Sequence, residues 1–173
     1  MLTSGSAESM LMEPALTAPV LLLGLGNPLM SDDGAGQELL AQLEAGPTAW
    51  GPQVEFLDGG TQGLALLGRF EGRKAVVFLD AVRLGDKPGA VHVLHGKELA
   101  RMGGRGVTAH EGSAPQILAA LQLLGETPQE VVVVGVEPER VATGIGLSPS
   151  VRAGVPTAAN IARRTVSEIL SAI

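Results

Sequence analysis

An α/β three-layer sandwich is the fold this sequence predicts: a mostly parallel, five-stranded twisted sheet with one antiparallel edge strand and helices on both faces. Three observations lead there. Apolar runs at Val20–Leu25, Ala75–Leu79 and Val131–Val136 lack polar alternation, as expected of strands covered on both faces, and a fourth, shorter run, Val54–Leu57, is interrupted by Glu55. Segments with helical periodicity follow three of the four runs, which is the pattern of crossover units in a parallel sheet. Hydrophobic residues make up 45% of the chain but aromatics only 2%, and 24 residues are glycine, so the core is aliphatic and its layers pack closely.

The elements follow in order. Val20–Leu25 is the first strand, and the first helix runs from about Gly34 to Glu44 with Ala35, Leu39, Leu40 and Leu43 on one face. Asp32 or Asp33 is placed to cap it, and Gly46-Pro47 ends it. Val54–Leu57 is the second strand; Gln62–Phe70 reads as a short second helix after Gly59-Gly60-Thr61. Ala75–Leu79 is the third strand and Gly85–Gly89 a turn cluster. Ala90–Leu94 alternates and follows too short a connection for a crossover helix, so it is the antiparallel edge strand. Gly96–Glu111 reads as a long glycine-rich loop, Ser113–Leu124 as the third helix and Val131–Val136 as the fifth strand. A second long loop, Glu137–Pro149, leads to a final helix from Ser150 to Ile173, with Pro156 tolerated only near its first turns.

At 173 residues the chain is read as one domain over 19–173, preceded by a flexible extension over 1–18. That extension has neither a basic start nor a long apolar stretch, so it is not read as a secretory signal, and a cytoplasmic location is expected. No apolar run approaches membrane-spanning length. With no cysteine, the chain has no disulfide, thiolate metal site or cysteine nucleophile. The first basic residue is Arg69, after eight acids, and the net charge is −6; such an acidic start argues against a nucleic-acid backbone as partner. A monomer acting on a protein partner, with no nucleic acid and no membrane, is the expectation.

The stretch Leu21–Gly36, LLLGLGNPLMSDDGAG, places Asp32 and Asp33 between a buried strand and a helix. Asp58 and Asp80 end the second and third strands in the same way, so three strand ends deliver acids to one rim. A carboxylate beside an apolar strand costs several kcal/mol to desolvate unless it is compensated, and a cation is the simplest compensation. Nucleotide binding is a poor reading, because Leu29 stands at the third glycine position of the dinucleotide fingerprint. GLGNP also opens peptidyl-tRNA hydrolases, but the Leu29–Asp33 segment replaces that family's histidine-bearing one, and no histidine precedes His92. His92 and His95 are read as structural or exposed.

Five segments, in order, resemble the maturation endopeptidases of nickel–iron hydrogenases: GLGNPLMSDDGAG, FLDGGTQGLALL, VVFLDAVRLGDKPGAV, TAHEG, and VVVVGVEPE with GLSPSV. The resemblance implies a phosphorylase/hydrolase-like sandwich that clips a C-terminal extension from the large-subunit precursor after nickel insertion. It further implies that Asp33, Asp80 and His110 contact that nickel. The first of these is Glu in many members of the family, so Asp33 fits the pattern with a shorter arm. Asp32 competes with Asp33 for this role. Two carboxylates and an imidazole suit Ni, Zn or Mn, supplied here by the precursor, with weak binding of a divalent metal by the free protein. Asp58 is assigned to peptide positioning with Gly59, Gly60 and Thr61, whose glycines let a substrate backbone approach. Ser113 is the one serine near His110 in sequence, and a helix N-terminal role suits it better than nucleophilic attack. A non-catalytic nickel-sensing or metal-delivery module would use the same three ligands.

Overall fold

The computed structural model describes residues 17–47, 49–102 and 112–173. Five strands are present: β1 (Val20–Leu25), β2 (Val54–Gly60), β3 (Ala75–Ala81), β4 (Val91–His95) and β5 (Glu130–Val136). They lie in the order β2-β1-β3-β5-β4, all pairs parallel except β4 with β5. Among the described residues the α-helices are α1 (Ala35–Ala45), α2 (Gly96–Met102), α3 (Ala114–Leu124) and α4 (Pro149–Ala172), with 3-10 segments at Ser31–Gly34, Gly51–Gln53 and Gly63–Arg69. Among these helices none is long and apolar enough to cross a membrane.

Strand alternation divides the core. Val20, Leu22, Val77, Leu79, Val132 and Val134 pack beneath α1 and α4. Leu21, Leu23, Val76, Phe78, Val131 and Val133 face α3, α2 and the Gly63–Arg69 segment. Every side chain of β1 and β3 is buried, which is why their sequences carry no polar alternation.

The elements differ from expectation in three places. The expected second helix is a 3-10 run, Gly63–Arg69. The expected loop from Gly96 opens with α2, because Lys97–Met102 are good helix formers and Leu99 is buried against the α3 face; residues 103–111 lie outside the described residues. Strand β2 extends to Gly60 and so includes Asp58. Helix α4 agrees with expectation, running through Pro156 two turns past its start. The extension, except for its last two residues, also lies outside the described residues.

Two close approaches shape the C-terminal edge of the sheet. The register between β1 and β2 shifts after Gly24, so that Leu25 pairs with Gly60 and Gly59 is an extra residue. A Cβ on Gly59 would come within 2.7 Å of the Leu23 side chain and 2.9 Å of Leu66. At Gly36, in the first turn of α1, a Cβ would stand 2.2 Å from the Leu25 carbonyl and 2.3 Å from that of Leu79. The start of α1 therefore sits directly on the ends of β1 and β3, between which the strand order reverses. Gly36→Ala is expected to destabilise the protein by about 1–3 kcal/mol through overpacking against backbone. Gly68→Ala, with open space around the new methyl, is expected to stay within about 0.5 kcal/mol of wild type in the same urea denaturation series.

Candidate functional site

The rim expected from the sequence forms at the C-terminal edge of the sheet. Asp33 lies in the Ser31–Gly34 segment, which packs against β3, the strand that carries Asp80. Both residues are buried, at 1% and 0% exposure. Asp33 Oδ2 accepts a hydrogen bond from the Asn27 amide at 2.8 Å, which holds the carboxylate against the β1 loop. Asp80 falls on the same face of β3 as Val76, Phe78 and Val82, toward α3. Opposite it on β5 is Gly135, whose missing side chain leaves the space that Val82 fills.

Asp32 is not a helix cap. The N-cap position of α1 is Gly34, and no side chain caps that helix. The Asp32 carboxylate is instead fully buried and turned toward the connection between β5 and α4. Its Oδ2 accepts from the Glu139 amide at 2.9 Å, the Arg140 amide at 2.8 Å and the Ser148 hydroxyl at 2.9 Å; its Oδ1 accepts from the Ser148 amide at 2.6 Å. Burial alone would raise its pKa, but these hydrogen bonds more than offset burial and hold the carboxyl below the ordinary aspartate range. With its lone pairs occupied in this way, Asp32 is a loop anchor.

Asp58 occupies the exposed end of β2, two strands from Asp80. Its Oδ1 accepts from the Gly60 amide at 3.0 Å, closing the turn that continues into Gly59-Gly60-Thr61. Gly60 and Gly63 have φ of 50° and 56°, which favours glycine at both positions. Beside this turn is a groove of about 570 Å³ between the Gly63–Arg69 segment and α3, lined by Thr61, Gln62, Leu64, Gln116 and Ala119. Gly63 and Gly112 meet backbone to backbone: a Cβ on Gly112 would lie 2.4 Å from the Gly63 Cα. The chain thus enters α3 at this turn, two residues after His110. His110 itself lies outside the described residues, and the described residues alone contain no cluster of three metal-ligating side chains. Ser113 is buried at the N-cap position of α3, as a helix N-terminal residue, and its hydroxyl makes no capping bond.

Two further polar residues shape the rim. Gln37, one turn beyond Asp33 on α1, donates from Nε2 to the Gly26 carbonyl at 2.6 Å, with Asp58 Oδ1 at 3.4 Å from the same nitrogen. It bridges the β1 loop to the end of β2, and its signal in the sequence is a polar residue one helical turn from an acid. Glu137 directly follows β5 and is buried at 2% exposure. It accepts from the Leu84 amide at 2.8 Å and the Gly85 amide at 3.1 Å, and lies 2.9 Å from His92 Nε2. Burial opposes its ionisation, yet these contacts bring its pKa below the usual glutamate value. The rule that singled out Asp58 and Asp80, an acid closing an apolar strand, also applies to Glu137. His92 is structural, as expected, and His95 is exposed.

Known proteins match this chain along most of its length. The family model described as hydrogenase maturation protease, HycI, matches residues 38–165. The hydrogenase 2 maturation protease of Escherichia coli strain K12 is 34% identical over 140 residues, covering 80% of this chain and 85% of that protein. The hydrogenase expression/formation protein HoxM of Azotobacter vinelandii is 33% identical over 159 residues, covering 88% of this chain and 75% of that protein. Among solved structures, the hydrogenase maturating endopeptidase HybD from E. coli superposes with a TM-score of 0.75 at 32% identity, covering 86% of this chain and 92% of that one.

Asp32→Asn is expected to cost about 2–3 kcal/mol near neutral pH, because an amide cannot accept hydrogen bonds at both of its ends. A carboxyl whose folded pKa is depressed contributes stability above its unfolded pKa and loses it as pH falls through the folded value. The gap between wild type and variant should therefore close on acidification, which urea denaturation at about pH 7 and about pH 3 will check.

Proposed function

We propose a substrate and a trigger for this chain, which belongs to the hydrogenase maturation protease family and is a peptidase. The substrate is the large-subunit precursor of a nickel–iron hydrogenase, from which the enzyme removes a C-terminal extension. The trigger is nickel already inserted in that precursor. Asp33, Asp80 and His110 contact the metal, and the enzyme acts in the cytoplasm as a monomer. The observation that carries this reading is the packing of the Ser31–Gly34 segment on β3, which brings two buried carboxylates from separate elements to one strand edge. A site of carboxylate oxygens and an imidazole nitrogen suits a borderline divalent ion.

The residues divide the work between two sides of the rim. Asp33 and Asp80, on the β1–β3 side, meet the metal centre, while the Asp58–Thr61 turn at the end of β2 and the groove between the Gly63–Arg69 segment and α3 receive the adjoining peptide. Holding metal centre and peptide at once fixes the scissile bond relative to the protein, and such positioning supplies much of a barrier reduction without a strong nucleophile. The nickel carried by the precursor supplies a Lewis acid next to that bond. Hydrolysis adds one water across the peptide bond, and no covalent enzyme intermediate is required. Asp58, tied to the Gly60 amide, keeps the turn open to an approaching backbone.

His110→Ala and Asp80→Asn are each expected to lower precursor processing by at least about 100-fold, the scale on which loss of one reaction-site group acts. Ser113→Ala is expected to process at close to the wild-type rate. Processing assays run beside circular dichroism separate loss of activity from loss of fold. Matched precursors, one loaded with nickel and one carrying only the iron centre, test the trigger: only the loaded form should be cut, and equal cleavage of both would sink metal-gated recognition.

A further inference from the structure

The side-chain amide of Gln37 reaches both sides of the rim at once. Gln37 stands one helical turn after Asp33, half-buried on α1. Its Nε2 donates to the Gly26 carbonyl at 2.6 Å and lies 3.4 Å from Asp58 Oδ1, so its two hydrogens have two acceptors in reach. The orientation of the amide follows, since its oxygen in that place would repel the Gly26 carbonyl oxygen. The Gly26 amide in turn donates to the Gly60 carbonyl at 3.0 Å, and the Gly60 amide donates to Asp58 Oδ1 at 3.0 Å. Gln37, Gly26, Gly60 and Asp58 thus close a ring of contacts between α1, the β1 loop and the end of β2.

The Gly26 carbonyl belongs to the same peptide group as the Asn27 amide, and that amide donates to Asp33 Oδ2 at 2.8 Å. A trans peptide group is planar, so its carbonyl and its N–H point in opposite directions and turn together. Gly26 sits at φ 125°, pressed against the Asp33 backbone; a Cβ there would stand 1.9 Å from the Asp33 carbonyl oxygen. Glycine is required at that position, and its backbone freedom lets the peptide that follows rotate unless something holds it. Gln37 holds the carbonyl side of this plane and Asp33 the N–H side, so each bond orients the group for the other. A carbonyl that accepts a hydrogen bond also polarises its own N–H, which strengthens the bond to the carboxylate. Asp33 depends on such support, because its short arm cannot swing to correct a misplaced backbone.

We propose that Gln37 is a positioning residue for the peptidase reaction. It fixes the Gly26–Asn27 peptide so that the Asn27 amide aims the Asp33 carboxylate, and through the same nitrogen it ties that setting to the Asp58 turn. This rests on Asp33 meeting the metal and Asp58 the peptide, as proposed above. Gln37 acts through these two groups and not on the reacting atoms. Its bond to Gly26 is the strong one, and the longer contact to Asp58 is the weaker.

The test compares wild type with three variants. Gln37→Met keeps the length and helix preference but has no donor, and Gln37→Glu keeps the shape with acceptors only. Gln37→Lys returns an N–H donor. In the isotope-labelled free protein the Asn27 amide, as donor to a carboxylate, should resonate well downfield. In Gln37→Met and Gln37→Glu it should move upfield and exchange with solvent about tenfold faster, the scale of one hydrogen bond. The melting temperature should fall by no more than about 4 °C. On nickel-loaded precursor kcat/KM should fall about tenfold in both, and Gln37→Lys should recover part of the rate and of the amide shift. A role confined to fastening α1 would lower the melting temperature and leave the Asn27 amide where it is. An Asn27 amide unchanged in both variants therefore overturns the inference, as does wild-type kcat/KM in a variant whose amide has moved. A wild type that leaves nickel-loaded precursor uncut refutes the proposed activity instead, and the amide of the free protein still decides whether Gln37 holds Asp33.

Discussion

A single buried carboxylate, that of Asp32, organises the C-terminal edge of this sheet. An ionised group with no exposure is stable only if hydrogen bonds replace the water it has lost. The four hydrogen bonds that it accepts from the connection between β5 and α4 come from residues more than 100 positions away in sequence. Satisfying Asp32 therefore brings that connection across the β1 loop and sets where α4 begins. The same bonds restrict the next residue, Asp33, which is placed over β3 while the Asn27 amide holds its carboxylate from behind. Rotating Asp33 away would mean breaking the anchor beside it.

The sheet order explains why the acids of the rim have different tasks. From β1 the chain crosses through α1 to β2 on one side, and β3 pairs on the other, so the crevice opens above β1. Gly36 lets α1 start low enough to seat the Ser31–Gly34 segment in that crevice, against the carbonyls of Leu25 and Leu79. Asp33 reaches the β3 side from there. Asp58 is on the far side of β1 from Asp80, about 10 Å away across two strand spacings, and closes its own turn. One acid anchors a loop, two lie on the β1–β3 side of the rim and one closes the turn at the end of β2.

Much of this architecture was legible in the sequence because burial on both sheet faces leaves a mark in every strand. The unbroken apolar runs located β1, β3 and β5, and the alternation from Ala90 to Leu94 located the antiparallel edge. Local pattern was weaker where tertiary contact decides. The glycines around Gly96–Glu111 suggested a loop, although Lys97–Met102 has good helix formers and Leu99 pays for α2 by its burial. Asp32 resembled a cap because caps are local, whereas its partners lie beyond any sequence window. Glu137 was open to the rule applied to Asp58 and Asp80, and its partners Leu84, Gly85 and His92 show that an acid closing a strand also serves to fasten a neighbouring turn. For His110 the resemblance supplies the assignment, since the residue lies outside the described region.

Under the proposed function, distributing recognition over two weak contacts has a physical consequence. Two carboxylates and one imidazole do not complete the coordination of a divalent ion, so free metal binds poorly and does not block the site. The peptide turn alone offers backbone contact of little specificity. When one body presents both, each contact made raises the effective concentration of the other, so that the complex is far tighter than either part. Removing the metal then removes one factor of a product rather than one term of a sum. An enzyme built in this way tells a finished precursor from an unfinished one whose sequence is identical. The rigidity of the Asp32 anchor is what allows it, because contacts held in fixed relation can be engaged together only by a partner that has already folded around its metal.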